Sequence, residues 1–122
     1  MTQKSTDVTP RGMPMSRKTG SELIAEERLR QVQEEGWTSE HDAAHVNCEL
    51  LDAALCYAGV AGSQMLDSDG GEEAREEMEC EWPWSGDWWK PSDDPVRNLT
   101  KAGALIAAEI DRIQAEKEKA HA

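Results

Sequence analysis

The chain has no phenylalanine and a single tyrosine, so its core cannot rest on packed phenyl rings and must be aliphatic, helped by five tryptophans. Cysteine is scarce as well. Cys48, Cys56 and Cys80 are odd in number and lack CxxC spacing, which excludes a disulfide framework and a zinc knuckle and points to a reducing cytosol. No apolar run approaches the roughly 18 residues of a membrane-spanning helix. Met1 to Thr19 lacks the apolar stretch of a signal peptide, so a cytoplasmic location is expected. Cations are few: 13 Lys and Arg stand against 25 Asp and Glu, a net charge of -12. Direct nucleic-acid binding, which needs clustered Lys and Arg, is therefore not expected. Neither a Walker loop, a GxGxxG turn nor a nucleophile triad is present.

What remains is an acidic chain of 122 residues, enough for one compact domain. Residues 1–19, with Pro10 and Pro14 and little apolar content, read as a disordered tail. Residues 20–118 read as one all-α domain and 119–122 as a second tail. The first helix is expected from a cap at Ser21 to Glu35, stopped by Gly36, with Ala25, Leu29 and Val32 as a narrow apolar stripe. A second helix is expected from His41 or Ala43 to Ala58, burying Val46, Leu50, Ala53 or Ala54, and Tyr57, with Gly59 and Gly62 as stops. Asp94 and Pro95 open a third helix to about Lys117, whose recurrent Leu99, Gly103, Ile106, Ile110 and Ile113 mark its packing face. With no strand-like alternation, these predict an antiparallel bundle of three main helices.

Residues 63–90 form an acidic and Trp-rich insertion. Asp67 to Asp87 holds nine carboxylates and one arginine. Glu72 to Glu79 fits either a short helix or a mobile segment, because like charges four apart oppose helix formation. Four of the tryptophans fall in Trp82-Pro83-Trp84-Ser85-Gly86-Asp87-Trp88-Trp89, a special loop that must fold against something, since indoles are poorly tolerated in water. It can cap the bundle, stack on a nucleobase or bury in a partner subunit. Trp37 is expected beside it.

His45, Glu49, Asp52 and Cys56 recur at i, i+4, i+7 and i+11, which on one continuous helix would share a side. Paired carboxylates of this kind can hold Mg²⁺ together with water and phosphate oxygens. The same row also reads as a solvated face. On the first helix Glu27, Gln31 and Glu34 share a side and could face a partner helix across a site, and Lys101 on the third could meet a phosphate. His41 and His45, four apart, lack the glutamate arrangement of a zinc site.

The run Glu27-Arg28-x-Arg30-Gln31-x-x-Glu34-Glu35-Gly36-Trp37-Thr38-x-Glu40-His41-Asp42-x-x-His45, with Glu49-Leu50-x-x-Ala53-Ala54-x-x-Tyr57-Ala58, Trp82-Pro83-Trp84-x-x-x-Trp88-Trp89-Lys90-Pro91 and Lys101-Ala102-Gly103-Ala104-Leu105-Ile106, resembles small phage and prophage proteins over residues 24–114. Its first half more distantly resembles the MazG-like all-α nucleoside triphosphate pyrophosphohydrolases, which hold Mg²⁺ around a nucleotide's phosphates with acidic residues on two helices. That resemblance implies Glu49 and Asp52 as metal ligands, a contribution from Glu27 or Glu34, and Lys101 as a phosphate contact. His45, Trp88 and Trp89 complete the candidate substrate set, and no catalytic residue is assigned. Only one carboxylate pair is recognisable where that family has two, and Glu109-Ile110-Asp111 has different spacing. The expected function is nucleotide binding, as a phage-type pyrophosphohydrolase-like protein. Two alternatives stand beside it. One is a non-enzymatic counter-defence inhibitor, acting as a sponge for a nucleotide signal or as an acidic nucleic-acid mimic of the anti-CRISPR kind against a host defence complex. The other is a structural helical homodimer that buries the Trp loop.

Overall fold

The computed structural model describes residues 17–120, and residues 1–16 of the expected tail at 1–19 lie outside the described residues, as do 121–122. Five α-helices follow in order: α1 (Gly20–Glu35), α2 (Ser39–Ala43), α3 (Glu49–Leu66), α4 (Glu72–Glu81) and α5 (Pro95–Ala120). A single 3-10 turn, Gly86–Trp88, interrupts the Trp-rich segment. Among the described residues there is no strand. The three long helices α1, α3 and α5 form the expected bundle, with α5 packed against both of the others. Asn98 at the start of α5 donates to Gln64 near the end of α3 (2.9 Å), which fixes those two as antiparallel.

Local chemistry explains most helix ends. Thr19, not Ser21, caps α1: its hydroxyl accepts from the Glu22 N–H (3.3 Å) while the Glu22 carboxylate accepts from the Thr19 N–H (2.7 Å). Gly36 closes the helix at φ 73°, in the left-handed region that glycine tolerates best. Asp94 caps α5, accepting from the Val96 N–H at 2.9 Å with Pro95 in the first position.

The expected second helix is instead two helices with a break at residues 44–48. Cys48 adopts φ 67°, which a helix interior cannot accommodate, and the Glu49 carboxylate turns back to accept from the Asn47 N–H at 2.7 Å. α2 is pinned separately, because buried Asp42 accepts from Arg28 of α1 at 3.2 Å. α3 then passes through both glycines to Leu66. Gly59 serves packing: a Cβ there would lie 3.1 Å from the Met78 methyl of α4, so the absence of a side chain lets α4 approach. Of the two readings of Glu72 to Glu79 the structure takes the helix. Ala74 is buried, Met78 packs on the core, and the Asp69 carboxylate accepts from the Gly71 and Glu73 N–H groups (2.9 Å each).

The core lies between α3 and α5 and is made of small residues with few large ones. Leu50, Ala53, Ala54, Val60 and Ala61 of α3 meet Ala102, Ala104, Leu105 and Ala108 of α5. The alanines bring the two helices close. Aromatic residues supply the remaining volume: Tyr57, Trp82 and Trp89 form a triangle with ring centroids 4.9–5.5 Å apart.

Two expected apolar faces are reversed. On α1, Glu27 and Gln31 are buried while Ala25 and Leu29 face outward. On α5, Leu99, Ile106, Ile110 and Ile113 are 39–50% exposed, and the inward face is Asn98, Ala102, Leu105 and Ala108. Val46 is also exposed, because it sits in the break rather than on a helix. The α5 reversal follows from close packing: the alanine face allows the short distance to α3, which a row of isoleucines would prevent. Accordingly, Leu105→Ala should destabilise the chain by about 2–5 kcal/mol and Ile110→Ala by under about 1 kcal/mol, measured by urea unfolding at low protein concentration. The opposite order would mean the α5 faces are assigned the wrong way round.

Candidate functional site

The reversed face of α1 creates the main cleft. Glu27, a charged residue only 3% exposed, sits at its floor. Arg30 embraces it with two hydrogen bonds of 2.8 Å, Arg97 of α5 adds an ion pair at 2.8 Å, and the Gln31 amide donates at 3.1 Å. Burial pushes the Glu27 carboxyl up, but the Arg30 and Arg97 hydrogen bonds and charges together hold it below its ordinary value. Arg30 also pairs with Glu35, and both contacts keep it charged.

Around this floor opens a cleft of about 400 Å³, walled by Trp37, Tyr57 and Trp88 and rimmed by Glu34, Lys90 and Lys101. Tyr57 accepts the Lys90 backbone N–H at 3.2 Å, and its burial raises its hydroxyl to about 12. Lys101 donates to the Lys90 carbonyl at 2.6 Å and lies 5.2 Å from the centroid of the Tyr57 ring. Burial first, and the neighbouring Arg97 second, lower its affinity for the proton. Lys90 places its ammonium 5.6 Å from the Trp88 ring. Lys90 and Lys101 make no carboxylate ion pair among the described residues. Four cations thus converge with three carboxylates in a chain whose net charge is -12. One polar atom stays unanswered: the Gln31 Oε1, on a side chain 2% exposed, has no hydrogen-bond partner.

Glu27, Glu34, Lys101 and Trp88 of the expected site residues meet here. The others do not. Glu49 begins α3, where the backbone N–H groups of Glu49 and Asn47 hold its carboxyl below the usual range, and Asp52 is exposed one turn on. His45 has left the helix, with its Nδ1 4.0 Å from Glu49, so the row of His45, Glu49, Asp52 and Cys56 is not one helical face. Trp89 packs into the core and donates its indole N–H to the Arg75 carbonyl at 3.3 Å. No group of three or more His, Cys, Asp or Glu side chains among the described residues is arranged to hold a metal ion. Glu27 is taken by guanidinium groups.

Arg30, Arg97, Lys90, Glu35, Trp37 and Tyr57 join the cleft without having been assigned to it from sequence, whereas Gln31 lies there beside Glu27 and Glu34 on the side of α1 expected to face a site. A usable signal existed for one pair: Arg97 and Lys101 are four apart on α5, a basic face in an otherwise acidic chain. The site therefore defines an all-α protein with a cationic, aromatic-walled cleft between its first and last helices. No protein-family model, curated protein or solved structure matches the chain.

The Glu27 cluster sets an acid limit on stability. A carboxyl depressed on folding stabilises the native state above its unfolded pKa and loses that contribution as pH falls through the folded value. Stability should therefore fall below about pH 4.3. In Glu27→Gln this part of the decline should flatten while stability at neutral pH drops, since Arg30 and Arg97 lose their shared acceptor. Urea midpoints of both proteins across the acid range check this; parallel pH profiles would mean that Glu27 does not titrate with unfolding.

Proposed function

We propose that the protein binds a nucleotide, with its phosphates held in the cleft between α1 and α5. The observation that carries this reading is the convergence of Arg30, Lys90, Arg97 and Lys101 beside Trp37, Tyr57 and Trp88 on a strongly acidic chain. Guanidinium and ammonium groups bind phosphate oxygens, and indole faces offer a surface to a base. A cleft of about 400 Å³ is within the usual range for small-molecule sites. The MazG-like pattern read in the first half of the sequence points to the same ligand class.

The reading stops at binding. Mg²⁺ enters it only as the usual companion of nucleotide phosphates, with Glu34 at the rim as the carboxylate least engaged by its neighbours. A phage protein of this kind would work by sequestering a nucleotide.

Titration calorimetry with the common nucleoside triphosphates, with and without Mg²⁺, tests it. Binding should weaken with added salt. Lys101→Ala should reduce affinity about tenfold or more, because it removes a charge-assisted contact. Absence of binding by every nucleotide, or full affinity in Lys101→Ala, would sink the proposal.

The exposed stripe of α5 favours a homodimer as the working form. Leu99, Ile106, Ile110 and Ile113 lie on a face of α5 that contributes nothing to the cleft, and Leu51 and Leu55 of α3 are exposed too. A contiguous apolar surface of this kind usually marks an interface, and a self-complementary pairing is the commonest solution. Sedimentation should give a dimer for the native chain and a monomer for Ile110→Glu. A monomer at high concentration in the unaltered chain would rule this out.

A further inference from the structure

A second cavity, of about 240 Å³, opens beside the cationic cleft and shares Glu35, Trp37 and Trp88 with it. Its remaining wall is His41, His45, Trp84 and Ser85. The rings form an aromatic slot: Trp37 stacks parallel to His41 at 6.4 Å, Trp84 lies 5.1 Å from His45 and 5.9 Å from Trp37, and the two histidines meet edge to face at 4.7 Å. Two buried polar atoms on this wall, His45 Nε2 and Trp84 Nε1, have no hydrogen-bond partner. Such atoms are rare in folded proteins, because a buried donor or acceptor left without a partner has lost its water and gained nothing in return. Trp82 nearby shows the contrast, since its indole N–H is satisfied by the Ser85 carbonyl at 3.0 Å.

The two orphans differ in character. An indole N–H can only donate. His45 Nε2 is an acceptor in the tautomer that carries its proton on Nδ1, the nitrogen 4.0 Å from Glu49. A donor and an acceptor on rings 5.1 Å apart complement a planar edge that carries one of each.

We propose that this slot is the base-recognition subsite of the nucleotide site: a nucleobase packs against the ring wall of the cavity, receives a hydrogen bond from Trp84 Nε1 and donates one to His45 Nε2. The proposal rests on the reading of the adjoining cleft as the phosphate site, with Trp37 and Trp88 as the shared wall between base and phosphates. It gives roles to the break in the helix at residues 44–48, which releases His45 from the α3 face, and to the Trp loop, which brings Trp84 opposite it.

The test compares each common nucleoside triphosphate with inorganic tripolyphosphate, using the full chain and the variants His45→Phe, Trp84→Phe and Lys101→Ala. The Phe replacements keep an aromatic ring and remove the polar atom. At least one nucleotide should bind more tightly than tripolyphosphate. His45→Phe and Trp84→Phe should each weaken that nucleotide about 3- to 10-fold and leave tripolyphosphate unchanged, which also certifies that the variants are folded. Lys101→Ala should weaken both ligands. If tripolyphosphate and every nucleotide bind alike, or the two Phe variants keep full nucleotide affinity while Lys101→Ala loses it, the slot proposal falls and the cleft reading stands. Binding by none of the ligands overturns both.

Discussion

The carboxylate of Glu27 is the group on which the arrangement of the molecule turns. It is buried on the inner face of α1, and it survives there because Arg30 from its own helix, Arg97 from α5 and the Gln31 amide all donate to it. A buried charge without such partners would force the helix to rotate. With them, α1 is held with Glu27 and Gln31 inward, Ile24 packed on Gly103 of α5, and Ala25 and Leu29 outward. The space between α1 and α5 is consequently lined by charge instead of filled by side chains. The cleft, the gathering of cations and the outward Leu29 are three results of one ionic cluster.

The α3 and α5 pair answers a different constraint. With no phenylalanine available, the tightest seam between these helices uses alanine, and the volume beyond it is closed by Tyr57, Trp82 and Trp89. Those two indoles are structural: one is buried and the other packs on the core, and both donate their N–H groups to backbone carbonyls. Trp37, Trp84 and Trp88 form the side of the aromatic cluster that faces the two cavities. The loop thus splits its tryptophans between packing and cavity wall, a division that the loop's composition does not reveal.

The helical class, the opening of α5 at Asp94 and Pro95 and the glycine stop of α1 were legible because they depend on near neighbours in the chain. So was the inward face of α3 from Leu50 to Tyr57. The site was half legible. Glu27, Glu34, Lys101 and Trp88 do share a cleft, whereas His45 leaves the face that Glu49 and Asp52 keep on α3, because a spacing of four implies a common face only along an uninterrupted helix. The left-handed turn at Cys48, a residue with no special liking for that conformation, removes this condition. Arg97 was missed since nothing near it in sequence shows that its partner is a glutamate on another helix.

By itself, the sequence determined that this is a helical, acidic protein whose α1 stop and α5 start are written in Gly36, Asp94 and Pro95, and whose tryptophans, Trp37 apart, are concentrated in one loop. Only the tertiary structure decided which sides of α1 and α5 face inward. Helical periodicity identifies a stripe but not its partner. On α5 an aliphatic stripe and an alanine stripe compete for the interior, and the alanine face packs because it permits close approach to α3. On α1 the pairing of Glu27 with two guanidinium groups outweighs the modest gain from burying Ala25 and Leu29, and that balance exists only once α5 brings Arg97 to it.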